Sequence, residues 1–525
     1  MNRNDLIAPE DYNIFMEIER YANDENRKAL ITETEDGQVK ELTYPELIKR
    51  TNQVGNAFLN SGLKKGDKIL IMVPRIFEAY EVYLAALKTG IVIIPCSEML
   101  TKKDLQYRVT HGEVNGVVSY HKYVNAYSEL EEYDQLKRFV IGEAVDGWEF
   151  LDELKANASD ELAIAKTTRD DIAFLPYTSG TTGNPKGVVH THSWGFAHLK
   201  TIAENWLDIQ DGDVVWATAA PGWQKWVWSP FLATLGSGAT GFIYNGRFKP
   251  QKTLSLIRDY GVNVLCSTPT EYRFLSTEEN LGDYKFPELR NLLSAGEALN
   301  PEVIDIFKNN FGLDVRDGYG QTENTLLLGI MKDTELRPGS MGKPTPGNDV
   351  TVIDDDGNPV PVGEVGDIAL KIDSPALFRE YYKDPERTKA SRRGDYYVTG
   401  DRAEIDEDGY FWFEGRNDDI IISSGYTIGP HEVEDTIESH PSVLESAVIA
   451  SPHKVRGNIV KAYIVLRDSV DQSDALIKEI QDFVKERTGA YKYPREIEFI
   501  KELPKTTSGK TRRVALRDLD KKSKQ

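Results

Sequence analysis

Residues 177–187 read YTSGTTGNPKG, a run of small hydroxyls and glycines with one lysine near its end. Thr178, Ser179, Thr181 and Thr182 supply hydroxyl donors, and Lys186 adds a point charge. Gly180 and Gly183 let backbone N–H groups turn inward as an anion nest. Such a loop is suited to the β- and γ-phosphates of ATP; the plainer reading is a polar turn before a helix. The common phosphate loop needs Ser or Thr after its lysine to hold magnesium, whereas Gly187 follows Lys186. The sequence has neither a Walker A motif nor the paired catalytic loops of a kinase. The loop therefore serves another kind of ATP chemistry. His190 and His192 follow it closely, but two histidines without a third ligand read as packing residues, and no zinc is expected.

The elements around this loop repeat one theme. KILIMVP (68–74), IVIIPC (91–96), NGVVSY (115–120), NVLCSTP (263–269) and NLLSAG (291–296) are short apolar runs that read as buried strands. FEAYEVYLAALKTG (77–90) has apolar residues at helical spacing and stops on Gly90. Continuous apolar strands alternating with helices predict parallel sheets covered on both faces, an α/β class. The pattern then changes: 350–372 alternates and turns at Gly357, and AEIDEDGYFWFEG (403–415) turns at Asp408–Gly409, a hairpin signal. Beyond Arg416 a smaller α+β pattern follows, with a helix (430–439), strands (445–450, 460–467), a helix (474–488) and a strand (496–501). Leu476, Ile480, Phe483 and Val484 share one face of the second helix.

At 525 residues the chain exceeds what one core organises. With 63 Lys+Arg against 84 Asp+Glu, its net charge is −21. That field disfavours nucleic acid and anionic membranes. Basic clusters occur only at Lys505–Arg513 and Lys521–Lys524. Cys96 and Cys266 sit in apolar runs and read as buried thiols in a reducing compartment. No signal peptide and no run of ~20 apolar residues is found, so a soluble, cytoplasmic protein is expected.

YTSGTTGNPKG resembles the signature of the adenylate-forming superfamily: acyl-CoA synthetases, peptide-synthetase adenylation domains and firefly-type luciferases. SAGEAL (294–299), DGYGQTE (317–323), TGD (399–401), GRNDDIIISSGY (415–426) and PKTTSGK (504–510) follow in the family's order, covering most of the chain. The resemblance implies a large N-terminal domain of αβαβα layered sheets with a small β-barrel-like part (1–416), a hinge (417–419) and a small mobile α+β domain (420–525). It implies an acyl-adenylate formed from ATP and a carboxylate, then a thioester formed with coenzyme A. ATP, Mg²⁺ and coenzyme A would be the cofactors, in a monomer or homodimer.

Residue by residue, the resemblance places Gly296, Glu297, Ala298, Asp317, Gly318, Tyr319, Gly320 and Gln321 around adenine. Thr322 would reach the α-phosphate, Glu323 would hold Mg²⁺, and Asp401 with Arg416 would bind ribose. Lys510, ordinarily a solvated side chain, would bridge the incoming carboxylate and the α-phosphate. Asp418 matches the hinge; Ser424, Gly425 and Tyr426 would line the pantetheine tunnel; Lys485 would contact the CoA nucleotide. Relatives carry Arg where this chain has Thr427.

For the acid, APGWQKWVWSP (220–230) lacks the aspartate that pairs with an amino acid's ammonium. Acetate-specific relatives have Trp where this chain has Gly320, so room for several more carbons is expected beside Gly296 and Trp223. The similarity is to bacterial medium-chain or methylbutyrate-type synthetases, and a short-to-medium or branched acid follows. Loading of a carrier-protein thiol and activation of benzoate-like acids are the alternatives.

Overall fold

A computed structural model describes the chain except residues 179–184, 297, 298, 300, 417, 418, 420, 424, 425, 454–456, 469, 489–491, 506–509 and 525, and the side chains of 422, 426, 427 and 457. It divides into two compact units: Met1–Val350 with Leu370–Arg392, and Thr351–Ala369 with Arg393–Gln525.

The first unit is built on two sheets. The seven-stranded one is ordered His190–Thr191, Ile172–Phe174, Val92–Pro95, Lys68–Met72, Gly116–Tyr120, Lys137–Ile141, Glu149–Phe150. Its strands run parallel apart from the edge strand at His190. The nine-stranded one carries Asn291–Ala295, Val264–Ser267, Val214–Ala217 and Thr240–Asn245 at its parallel centre.

Strand alternation sorts the apolar side chains into layers. Ile69 and Ile71 join Val264 and Cys266 in one core between the sheets, filled by the helices Tyr44–Asn60, Phe77–Thr89 and His192–Ile202. Leu70 and Met72 point the other way, onto the helix Lys102–Gly112. Leu265 and Leu292 face the helices Pro250–Asp259, Pro269–Ser276 and Pro301–Phe311. Helix, sheet, helices, sheet, helix is the αβαβα order. The expected stop of Phe77–Thr89 is present: Gly90 adopts φ 72°, a left-handed cap that glycine takes without steric cost.

In the second unit, Tyr396–Ile405 pairs antiparallel with Phe411–Arg416 around the Asp408–Gly409 turn, where Gly409 has φ 82°. A separate sheet contains Val443–His453 and Gly457–Leu466 at its centre. Val448, Ala462 and Ile464 bury against the helices Pro430–Glu438 and Asp474–Thr488, while Ala447, Ile449 and Tyr463 bury against Leu516 of a terminal helix, Arg513–Ser523. Leu476, Ile480 and Val484 are buried as expected, with Phe483 half-buried beside them. The strip 351–369 and 393–416 clusters with the C-terminal residues, so the compact units do not divide at 417.

Candidate active site

Two short antiparallel strands flank the phosphate-type motif. Tyr177–Thr178 pairs with Lys186–Gly187, setting Lys186 opposite Thr178. Ser179, Gly180, Thr181, Thr182 and Gly183 lie outside the described residues. The Thr178 hydroxyl is buried with no hydrogen-bond partner among the described residues, an open donor beside the lysine.

A segment remote in sequence fixes this hairpin. The Tyr382 N–H donates to the Gly187 carbonyl at 2.7 Å, and the Phe378 N–H donates to the Glu323 carbonyl at 2.7 Å. Between them, the Tyr381 hydroxyl donates to Glu323 Oε1 at 2.9 Å. Lys186 Nζ lies 3.3 Å from the Tyr381 oxygen, 3.5 Å from Glu323 Oε1 and 4.7 Å from the Tyr381 ring centre. The Glu323 side chain is only 9% exposed, so it is no surface acid.

Asp317, Gly318, Tyr319 and Gly320 form the end of the strand Val315–Gly320, which runs parallel to Asn291–Ala295 with Ala295 opposite Gly318. Gly296 leaves the neighbouring strand with φ 111°. Glu297 and Ala298 lie outside the described residues. Three rings from one region hold the backbone of 317–324, and a fourth, His198, holds the Thr325 hydroxyl. Trp206 Nε1 donates to Asp317 O at 3.2 Å, His190 Nε2 to Thr322 O at 2.5 Å and Trp194 Nε1 to Asn324 O at 3.1 Å. His198 spans Thr325 Oγ1 (2.7 Å) and Trp228 O (3.2 Å). Ring centres of His190 and Trp194 lie 4.2 Å apart, and those of Trp194 and His198 lie 4.8 Å apart.

Burial pushes His190 and His198 each down to about 3, so both are neutral. A carbonyl only accepts, which places the proton of each on Nε2. The expectation that His190 and His192 are packing residues captures their burial but misses that His190 holds the Thr322 carbonyl, and it does not include His198. Their spacing, 190, 194 and 198 with an aromatic between, is a one-face helical signal that could have shown it. His192 instead accepts the Ile14 N–H at 3.1 Å. No cluster of three His, Cys, Asp or Glu is found among the described residues.

The acid-binding expectation needs correction at Gly320. A Cβ there would lie 2.2 Å from the Thr325 carbonyl oxygen and 2.7 Å from the Trp228 ring. Trp228 occupies the space that an absent side chain was expected to free, so this glycine marks close backbone approach rather than spare volume. Trp226 packs in the core against Tyr80, Tyr83 and Phe231. Trp223 is half-buried, at the end of a loop whose Gly222 presses on the Cys96 backbone. Lys225, not anticipated from the sequence, donates to the Ala295 carbonyl at 2.7 Å. Burial pushes Asp317 up to about 7, against the opposing pull of the Gly318 N–H and the Lys225 charge.

In the second unit Asp401 and Arg416 face each other across the strand pair, with Arg416 Nε 4.0 Å from Asp401 Oδ1. Lys510 is exposed, and on either side of 506–510 Lys505 bridges to Thr511 and the Arg512 N–H donates to Pro504 O at 2.7 Å. Lys485 is exposed, its Nζ 5.6 Å from the Tyr493 ring centre. Ser424 and Gly425 connect Ser423 to Tyr426 and, like Asp418, lie outside the described residues; the same holds for the Tyr426 side chain.

A strand pair carrying Lys186, the ion pair of this half-buried lysine with the buried Glu323, and an αβαβα fold are together what an ATP-using ligase class would present. The family model for the AMP-binding enzyme matches residues 18–382, and that for the AMP-binding enzyme C-terminal domain matches 432–510. The uncharacterized acyl–CoA ligase YtcI of Bacillus subtilis (strain 168) is 57% identical, covering 100% of this chain and 99% of that protein. Human mitochondrial acyl-coenzyme A synthetase ACSM3 is 41% identical, covering 92% and 84%. The crystal structure of the anthranilate CoA ligase AuaEII in complex with anthranoyl-AMP is 29% identical, with TM-score 0.92 and full coverage of both chains. The chain belongs to the AMP-binding enzyme family, among its acyl-CoA ligases, which join acids to thiols using ATP and coenzyme A.

Proposed function

We propose that the protein activates a short-to-medium or branched carboxylic acid as its acyl-adenylate and transfers the acyl group to coenzyme A, releasing pyrophosphate and AMP. The observation that carries this reading is the Lys186–Glu323–Tyr381 cluster facing the unpartnered Thr178 hydroxyl. Lys186 and Thr178 suit the β- and γ-phosphates because an ammonium and a hydroxyl both donate to phosphate oxygens, and the Thr178 hydroxyl is already buried.

The donor set also fits Mg²⁺. One buried carboxylate, with no cluster of three acidic or imidazole ligands among the described residues, suits an ion that keeps waters and binds through substrate phosphates. Bound there by Glu323, it would neutralise charge growing on the leaving pyrophosphate. Thr322 would donate to the α-phosphate, its backbone held by His190. Asp401 would accept from the ribose hydroxyls beside Arg416, and Asp317 with the glycines of 318 and 320 would flank the base.

Lys510 would bridge the carboxylate and the α-phosphate in the first step. Rotation about Asp418 would then bring Ser424, Gly425 and Tyr426 to the thiol, with Lys485 toward the CoA nucleotide. A large domain of 1–416 and a mobile one of 420–525 is the division this motion requires. Where relatives usually have Arg, this chain has Thr427, which means either that another cation substitutes or that the grip in the first step is weaker.

The acid class rests on the wall around Trp223 and on the lack of any carboxylate in 220–230. The anthranilate ligase's bound anthranoyl-AMP favours an aryl acid as the second reading. The test is a competition assay with ATP and CoA over acetate to octanoate, isobutyrate, 2-methylbutyrate and benzoate. Thioester and AMP formed best with aliphatic acids of four to eight carbons supports the proposal. Preference for benzoate supports the second reading, and AMP formed only with a carrier protein overturns CoA as the thiol.

A further inference from the structure

The helix Arg513–Ser523 begins three residues after Lys510, and its first side chains enter a buried ionic cluster. Arg513 grips the Glu434 carboxylate with Nη2, 2.6 and 2.7 Å from its two oxygens, and with Nε at 3.3 Å, and its Nη1 reaches Asp419 at 3.4 Å. Arg517, one turn on, meets Asp419 at 2.8 Å. His431 Nδ1 stands 3.6 Å from Glu434. Asp419 and Glu434 are 8% and 7% exposed, and Arg513 is 14% exposed.

Asp419 directly follows the hinge aspartate of the proposed function, and Glu434 belongs to the helix Pro430–Glu438 that packs on the central sheet. The guanidinium group therefore joins three pieces: Asp419 at the end of the hinge segment 417–419, the first helix after it, and the helix that follows Lys510. A planar fork holding a carboxylate by two bonds fixes direction as well as distance, which an ammonium does not.

We infer that Arg513 is a positioning residue for the first half-reaction, holding the chain next to Lys510 to Asp419 and Glu434 so that Lys510 and the end of the hinge segment move as one body. This rests on the reading of Lys510 given above. It predicts that loosening the fork harms only the step in which Lys510 must be placed to a fraction of an ångström.

The experiment is a double-mutant cycle with Arg513→Lys and Lys510→Ala. Adenylation is read by acid-dependent pyrophosphate–ATP exchange, and thioester formation by CoA and pre-made acyl-AMP in the same preparations. Arg513→Lys is expected to slow exchange by about tenfold, the size of a contact coupling between neighbours. It should leave thioester formation within about twofold, which also shows the protein is folded. In the Lys510→Ala background, adding Arg513→Lys should change exchange by less than about twofold. Additive losses, or equal losses in both half-reactions with Arg513→Lys while Lys510→Ala impairs exchange alone, overturn the positioning role. If Lys510→Ala itself slows both half-reactions equally, the Lys510 reading fails and the inference falls with it. Asp419→Asn, which keeps the shape and removes one charge, should reproduce the Arg513→Lys pattern in weaker form.

Discussion

Glu323 is held by groups that the sequence keeps far apart. Tyr381 donates to its Oε1 and lies under the Lys186 ammonium, so the phenol orders both charged partners. A hydrogen bond to a charged group contributes about 1.5–3 kcal/mol. Tyr381→Phe should therefore raise the KM for ATP by about tenfold or more and lower the melting temperature, because the buried carboxylate loses a donor, while the KM for the acid hardly moves. Steady-state kinetics at fixed Mg²⁺ checks this, and an unchanged ATP KM would mean that the phenol has no part in the grip. At Gly320 the prediction is of another kind. Because a Cβ meets the Thr325 carbonyl at 2.2 Å, Gly320→Ala must displace backbone. It should cost stability and activity with every acid alike, rather than narrowing the acid range. A selective loss of longer acids, with the melting temperature intact, would restore the expectation of a roomy pocket.

At the scale of elements, the edge strand His190–Thr191 and the helix His192–Ile202 that follows it together hold the Thr322–Thr325 segment, and the protonation of their histidines decides whether that hold survives acid. His190 and His198 titrate at about 3 and His192 at about 4 in the folded chain, all depressed by burial, against ~6.5 unfolded. A depressed histidine contributes stability that is present above ~6.5 and lost as pH falls toward the folded value. Asp317, raised by burial to about 7, works oppositely between the unfolded carboxylate value and 7, offsetting one proton. Unfolding free energy should fall steeply from pH 6.5 to 3, and His190→Gln, which retains a donor, should flatten that slope by about one proton. An unaltered slope would show that His190 is not the buried neutral group described.

Period and punctuation made most elements legible: Gly90 and Gly409 stop or turn the chain where their φ is positive, and the apolar strands alternate between two real cores. The terminal helix escaped notice because only Leu516 and Asp520 of its residues are buried, and the rest is charge. The phosphate lysine and Glu323 were legible as motifs, and the structure brings them together. Tyr381 and Lys225 were not, since a contact made 58 residues or 70 residues away leaves no local spacing to read.

For the whole molecule, separate apolar cores imply separate cooperative units. The first unit has its clusters around the two large sheets, and the second has its own on both faces of the sheet containing Gly457–Leu466. Chains of this size with independent cores seldom unfold in one step. Calorimetry should show a van't Hoff enthalpy below the calorimetric one. The second unit has a buried ionic lock to test the assignment: Asp520, 1% exposed, takes Lys461 at 2.9 Å and the Ser451 hydroxyl at 2.6 Å. Burial pushes its carboxyl up, but these two donors and the Lys461 charge bring it below the usual range. Asp520→Asn leaves a buried ammonium with Glu498 as its remaining partner at 2.9 Å, so the loss should stay below the ~3–5 kcal/mol of a fully orphaned charge. The transition belonging to the second unit should move down by several degrees, and that of the first should stay in place. A single transition shifted as a whole would show that the two units unfold as one, and the division by cores would then have no thermodynamic meaning.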